Sequence, residues 1–371
     1  MIRYIQMNVP EDGQCNTVQI IMGVGIMPSY STIKRIKDVS ERKRIVEKIL
    51  SLRAQLDQEI PAKTALDTLL LATWNIRKFG DNRLNESLHY IAEIISRFDL
   101  VAVQEVSTSL DGLQKLVALL GHNWDYIVTD STEGTTGVGE RMAFIYDKCK
   151  VLFRKMAGEI VLPANKLINQ KLQFARTPFS VAFQAGWFRF MLTTVHIYYG
   201  TANKNEPRRV EEITTIAEFL KKRAKKEDEN YIILGDFNIF NAGDLTMKAL
   251  EKADFYIPDA LKNHPTNFGK NKYYDQIAFK LRMEPKMTVF SEENQHAGAF
   301  DFTKSVFLPQ DIDNYRMYFD EITLEGKTES QIENYYLNDW CTYQMSDHFP
   351  LWIELKIDFS NQHLEKIGTL T

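Results

Sequence analysis

This chain of 371 residues has only three cysteines, Cys15, Cys149 and Cys341, too few and too scattered for a disulfide framework or a zinc cluster. They read as buried, reduced thiols. Long hydrophobic runs are missing as well. The most apolar stretch near the start, residues 20–27, is far too short to cross a bilayer. The opening segment, Met1 to Asn8, lacks the apolar run of a secretory signal, so a cytoplasmic chain with no membrane span is expected. Net positive charge is absent too. A formal charge of −4 excludes a protein that coats nucleic acid through charge alone, though not one with a local basic groove. No internal repeat or low-complexity run is present. What remains, 44% hydrophobic and 25% charged, is enough to bury a sizeable core.

Residues 1–67 read as an N-terminal extension with one amphipathic helix, and residues 68–371 as one domain. In the extension Ile45, Ile49, Leu52 and Leu56 are spaced 4, 3 and 4 apart, which sets them on one helical face. That face is expected to pack on the neighbouring domain, and Pro61 ends the helix. After Leu66 strands and helices alternate. Leu69 to Trp74 reads as a buried strand, and Leu84, Leu88, Ile91 and Ile95 form a helical stripe. Leu100 to Val103 is the next strand, and a helix through Leu113, Leu116, Val117 and Leu120 closes at Gly121. Between Asp125 and Phe190, short β-rich pieces follow one another and predict antiparallel neighbours. A helix through Val210, Ile213, Ala217 and Leu220 then precedes the strand at Tyr231. Sheets with helices outside them follow from this mixture. Residues 291–344 are polar and aromatic-rich, a long excursion of the kind that is often functional.

Several apolar strands end in polar clusters: Trp74-Asn75-Ile76-Arg77, Gln104-Glu105, Gly235-Asp236-Phe237-Asn238, Tyr274-Asp275-Gln276-Ile277 and Ser346-Asp347-His348. Carboxylates, amides and imidazoles delivered from several strand ends suit a hard-metal phosphoryl-transfer site. Singly, each is weak. Asn75 fits a strand-ending turn, and Glu105 fits a metal ligand or a salt bridge equally well. Asp236 and Asn238 flank Phe237, and strand alternation would point both polar groups one way, although a turn also favours Asp and Asn. His196 alone reads as a structural histidine. His348 is stronger, because an aspartate bonded to one ring nitrogen fixes the tautomer and stabilises the imidazolium that a general base becomes. The segment Gly134 to Gly139 lacks the Lys-Ser/Thr tail of a phosphate loop, and Lys221 to Lys226 reads as a solvated helix end.

Taken in order, the motifs Trp74 to Gly80, Val103-Gln104-Glu105-Val106, Glu140 to Tyr146, Arg176-Thr177-Pro178-Phe179, Gly235 to Asn238, Tyr274 to Ile277 and Ser346 to Pro350 resemble the endonuclease/exonuclease/phosphatase superfamily. Its deoxyribonuclease-I-like branch is the nearest in pattern, and the match runs from about Leu69 to Leu355. The resemblance implies a four-layer α/β/β/α sandwich, two packed mixed β-sheets flanked by helices, with the N-terminal helical extension outside it. Residues 68–371 would be the catalytic domain. Glu105 is then the implied principal Mg²⁺ ligand, with Asn75 and Asp347 beside it and Mn²⁺ as a substitute. Asp236 and Asn238 would orient the attacking water or hold the phosphate. His348 with Asp275 resembles the general-base pair, and His196 with Glu140 would meet the scissile phosphate or leaving group. Arg176 resembles a phosphate-binding residue.

The implied activity is a nuclease with nucleic acid as substrate and no protein partner. A phosphatase or phosphodiesterase for a small metabolite or lipid head group is the alternative, and a non-catalytic binding module a distant third. Two departures matter. Ser107 and Val138 stand where the secreted deoxyribonucleases carry an arginine and a tyrosine that reach into the DNA minor groove. Substrate is therefore less determined than reaction type. DNA against RNA, endo against exo action and oligomeric state are left open.

Overall fold

The computed structural model describes residues 2–4, 28–132, 139–282, 289–290, 296–320 and 324–369, the first three by backbone only. Val138, Cys15 and most of the Gly134 to Gly139 segment lie outside the described residues.

Alternation decides the layers. In β2 (Thr68–Phe79), Leu69 and Leu71 face one hydrophobic core while Leu70, Ala72 and Trp74 face a second on the opposite side. A strand apolar on both faces must be covered twice, and the fold does so with two six-stranded sheets. The first sheet runs β1 (Ile2–Tyr4), β6 (Val151–Ile160), β7 (Phe179–Ala185), β8 (Phe188–His196), β9 (Asn230–Asp236), β10 (Asp275–Lys280). The second runs β11 (Ala297–Ala299), β12 (Leu351–Lys356), β2, β3 (Leu100–Ser107), β5 (Glu140–Asp147), β4 (Trp124–Val128). Both are mixed: β8 with β9 and β2 with β3 are parallel, each within otherwise antiparallel neighbours.

Helices fill the outer layers. On the second sheet lie α1 (Val39–Glu59), α2 (Asn85–Ser96) and α3 (Asp111–Leu120); α4 (Pro207–Glu227) and α5 (Leu245–Lys252) cover the first. This is the expected four-layer sandwich. Asp38 starts α1 by accepting from the backbone N–H groups of Ser40 and Glu41. The stripe Ile45, Ile49, Leu52 and Leu56 is buried in the same core as α2. Arg44 forks onto Glu86 of α2 at 2.9 and 3.0 Å, and Lys48 meets Asp311 at 2.6 Å.

Two expectations need correction. The β-rich run is not one meander, because β5 pairs with β4 and β3 in one sheet while β6 pairs with β7 in the other. The turn after Asp147 carries the chain between sheets, and short polar links look alike whether they join partners or change layers. The thiols also differ in part from expectation: Cys341 is free and buried, whereas Cys149 is exposed.

Leu52→Ala should destabilise the protein by about 2–5 kcal/mol, because it opens a cavity in the core shared by α1 and α2. Leu50→Ala, on the exposed face, should stay within about 0.5 kcal/mol. Chemical denaturation of both variants checks this; equal small effects would mean that α1 packs loosely.

Candidate active site

The polar strand ends meet at one edge of the sandwich. From the second sheet come Asn75 (β2), Glu105 (β3) and His348, just before β12; from the first come His196 (β8), Asp236 (β9) and Asp275 (β10). His196 sits directly opposite Asp236 in the β8–β9 register, and Asp236 opposite Asp275 in β9–β10. Three neighbouring strands thus deliver a histidine and two aspartates side by side. Gly235 allows this approach, since a Cβ there, at φ +131°, would stand 2.1 Å from the Val195 carbonyl oxygen.

Contacts across the two sheets join the halves. Asn75 Nδ2 donates to Glu105 Oε1 at 3.0 Å and to Asp236 Oδ2 at 3.1 Å. His348 Nδ1 lies 2.8 Å from Asp275 Oδ2. The same Asp236 oxygen is 3.5 Å from His196 Nε2 and 3.9 Å from His348 Nε2, so one carboxylate oxygen faces both imidazoles. On its other side His196 Nδ1 is 3.2 Å from Glu140 Oε2. Arg176 forks onto Glu140 at 2.9 and 3.0 Å. Two guanidinium nitrogens of Arg176 are therefore already engaged by Glu140.

Strand bulges at Lys78 and Glu105 and a turn at Asn238 hold these groups in unusual backbone conformations. Glu105, Lys78 and Asn238 have φ of +60°, +45° and +53°, left-handed values that side-chain-bearing residues rarely adopt. At Lys78 the bulge aims its N–H at Glu105 Oε2, 2.9 Å away. At Asn238 the turn brings the backbone N–H to Asp236 Oδ1 at 2.8 Å, and the amide donates to Ile197 O at 2.9 Å. Strand alternation therefore does not extend through Asn238: the strand ends at Asp236 and an Asx turn follows, with Phe237 buried as expected.

Asp347 is held at this edge by its neighbours. Ser346 Oγ donates to Asn75 O at 2.6 Å and accepts from His348 N at 3.0 Å, which fastens both sides of Asp347 to the same edge. Sequence reasoning missed this serine's part, although it stands inside the motif. It also missed Arg83, a buried guanidinium that donates to the carbonyls of Arg77, Lys78 and Gln344 and so braces the Lys78 bulge. Its signal was absent, because an arginine three residues after a glycine reads as a surface residue. Ser107 stands at the end of β3, opposite Glu140.

The electrostatics follow from burial and pairing. Burial opposes a proton on His348, but Asp275, Asp236 and Asp347 outweigh it and hold its pKa well above the usual imidazole value. Burial raises the Asp275 carboxyl, against the pull of His348. Burial would also raise Glu140, yet His196 and the Arg176 fork bring it down from 4.5 to about 2.

Two donor sets could face a cation. Asp236, Asp275 and His348 offer ligand atoms within 4.8 Å of one another; Asp275 Oδ2 already pairs with one nitrogen of His348, while Asp275 Oδ1 is buried without a hydrogen-bond partner. Glu105 with Asn75 is the second set. Asn75 Oδ1 is buried with no protein partner, and its amide orientation is fixed because Nδ2 faces two carboxylates. A buried amide oxygen without a partner is a hard oxygen donor of the kind that Mg²⁺ or Mn²⁺ favours.

A family model described as the Endonuclease/Exonuclease/phosphatase family matches residues 72–270, more than half of the chain. The chain belongs to this family. A deoxyribonuclease of Thioalkalivibrio sp. strain K90mix is 31% identical over 181 residues, 47% of this chain and 47% of that protein. Deoxyribonuclease-1 of Rattus norvegicus is 35% identical over 91 residues, 23% of this chain and 32% of that protein. The chain thus spans about half the length, or less, of these curated relatives. Two solved structures share the fold. An endonuclease/exonuclease/phosphatase family protein from Bacteroides thetaiotaomicron has TM-score 0.51 at 17% identity, over 79% of this chain and 96% of that one. A mannosyl-6-phosphatase of the same organism has TM-score 0.50 at 16% identity, over 77% and 99%. No helix among the described residues is long and apolar enough to cross a membrane.

The Glu140 geometry predicts a pH effect on stability. A carboxyl depressed in the folded state contributes its full stabilisation above about pH 4.5 and loses it as pH falls toward about 2. Glu140→Gln should therefore melt below wild type near neutral pH, and the gap should close through that acid window. A gap that persists unchanged in acid would show that the Arg176–His196 pairing is not its source.

Proposed function

We propose that this chain is a divalent-cation-dependent phosphodiesterase that cleaves nucleic acid by in-line attack of water. The observation that supports the reading most is the pair of cross-sheet contacts, Asn75 to Asp236 and His348 to Asp275, at the same sheet edge as the Asn75–Glu105 and Asp236–His196 contacts. The deoxyribonuclease names of the curated relatives support the choice of nucleic acid over a small phosphate ester.

In this reading Glu105 and Asn75 Oδ1, with Asp347 beside them, hold Mg²⁺ or Mn²⁺. The bound cation supplies Lewis-acid stabilisation of charge on the non-bridging phosphate oxygens. The chain's own residues do the remainder. Asp275 accepts from His348 Nδ1–H, which fixes the tautomer and leaves Nε2 facing the pocket. Nε2 takes the proton of the attacking water as its oxygen bonds to phosphorus. Base action needs Nε2 free of its proton, which the surrounding carboxylates oppose and a nearby positive charge favours. Asp236, held by Asn75 Nδ2 and Asn238 N, accepts from that water and orients it. His196, between Glu140 and Asp236, contacts the phosphate and supplies the proton as the phosphorus–oxygen bond to the leaving group breaks. Arg176 reaches the phosphate only with what its fork onto Glu140 leaves, so it acts chiefly by fixing Glu140.

A panel of single- and double-stranded nucleic acids, mononucleotides and sugar phosphates, assayed with Mg²⁺, with Mn²⁺ and with EDTA, tests the proposal. Acid-soluble nucleotides should be released with either cation and none with EDTA. His348→Ala and His196→Ala should each lower kcat at least about 10²–10⁴-fold. Release of inorganic phosphate alone would instead favour a phosphatase, and full turnover by His348→Ala would overturn the mechanism.

A further inference from the structure

The three strands that deliver His196, Asp236 and Asp275 each deliver an aromatic ring at nearly the same level. Tyr199 lies three residues past His196, Phe240 two past Asn238, and Tyr274 one before Asp275. Their rings pack together, Phe240 to Tyr274 at 5.6 Å, Tyr199 to Phe240 at 6.1 Å and Tyr199 to Tyr274 at 6.4 Å. Tyr274 is in turn 5.5 Å from the His348 ring. The cluster is therefore continuous with the site. Phe240 is its buried floor at 4% exposure, whereas Tyr199 is 40% exposed at its outer end.

The surrounding cations shape this surface. Arg209 lies 4.9 Å from the Phe240 ring and 5.3 Å from Tyr199, and Lys272 lies 4.3 Å from Phe240. Arg209 also donates to the carbonyls of Tyr198, Tyr199, Thr201 and Asn203, which ties down the loop that carries Tyr199. A ring held this way loses little freedom when something stacks on it. An exposed aromatic face fixed beside cations, next to a phosphate site, has the makings of a nucleobase platform.

We infer that Tyr199, backed by Tyr274 and Phe240, stacks an unpaired nucleobase flanking the scissile phosphate, so that single-stranded nucleic acid is the preferred substrate. This rests on the phosphodiesterase reading and narrows it. In a duplex each base face is covered by its neighbours and offers nothing to Tyr199. In a single strand, overhang or loop the face is free, and stacking is tolerant of sequence because every base has one.

Small diesters with one common leaving group test it: thymidine 5′-(4-nitrophenyl) phosphate and its 3′ isomer carry a base, and methyl 4-nitrophenyl phosphate carries none. Tyr199→Ala should lower kcat/KM on at least one thymidine ester by about 5- to 150-fold, the range for losing one base–aromatic stack. It should leave the methyl ester within about twofold of wild type. Trp187→Ala removes an exposed ring at the opposite end of β8 and should change neither. In EDTA, a fluorescent single-stranded oligonucleotide should bind wild type more tightly than Tyr199→Ala. Equal losses on base-bearing and base-free esters, or none on either, would overturn the platform while leaving the phosphodiesterase reading intact. The same Tyr199 dependence on a base-free sugar diester would overturn it as well. No hydrolysis of any ester by wild type with Mg²⁺ or Mn²⁺ would sink the underlying activity and this inference together.

Discussion

Two aspartates of one sheet, Asp236 at 2% exposure and Asp275 at 0%, can stay in the interior only because the other sheet supplies their partners. A carboxylate removed from water loses several kcal/mol of solvation, roughly balanced when fixed donors surround it. Asn75 and His348 are those donors, and both stand on or beside strands of the opposite sheet. The two sheets are therefore locked in relative position at this edge. Truncating either partner would leave a buried charge uncompensated, at a cost on the order of 3–5 kcal/mol. Assembly of the site and closure of this end of the sandwich are the same event.

That arrangement also explains where the backbone departs from regular form. The β2–β3 register slips after Asn75 and the β3–β5 register after Val103, so both strands bulge where their polar residues begin. A regular strand would alternate Glu105 away from its neighbour on the next residue. The left-handed backbone at Glu105, of order 1–3 kcal/mol unfavourable, is offset by hydrogen bonds from Asn75 and the Lys78 N–H. Arg83, with its pKa brought by burial down to about 10, then braces the Lys78 bulge through three carbonyls.

Much of this was legible in the sequence, for definite reasons. Buried strands read as apolar runs, and a carboxylate or histidine at the end of such a run has few structural excuses. The stripe Ile45, Ile49, Leu52 and Leu56 was legible because a helix repeats its face every three or four residues. What was not legible depends on partners far away in the chain. Nothing local tells that Glu140 will capture the Arg176 fork, that the turn after Asp147 changes sheets, or that Asn238 closes an Asx turn. The aromatic cluster was invisible for the same reason: Tyr199, Phe240 and Tyr274 are remote in sequence and meet only because β8, β9 and β10 are neighbours.

The excursion over residues 291–344 reads as functional by its length, and its described residues pack against neighbouring elements. Phe307, Tyr315, Phe319, Tyr336 and Trp340 pack their rings into one cluster, and Phe307 meets Tyr90 of α2 edge-on at 5.6 Å. The excursion therefore buries the outer face of α2 together with α1. Its last residue in a helical turn, Gln344, does more. The side-chain oxygen accepts from Leu84 N and Ser87 Oγ, both at 2.9 Å, at the start of a helix whose own cap residue, Leu84, has no polar side chain. Gln344 O meanwhile accepts from Arg83 at 3.2 Å. Gln344 is two residues before Ser346 and four before His348, so the end of the excursion is anchored immediately upstream of the general-base candidate. The end of this segment thus fixes where Ser346, Asp347 and His348 stand, and the aromatic residues described in it follow from packing.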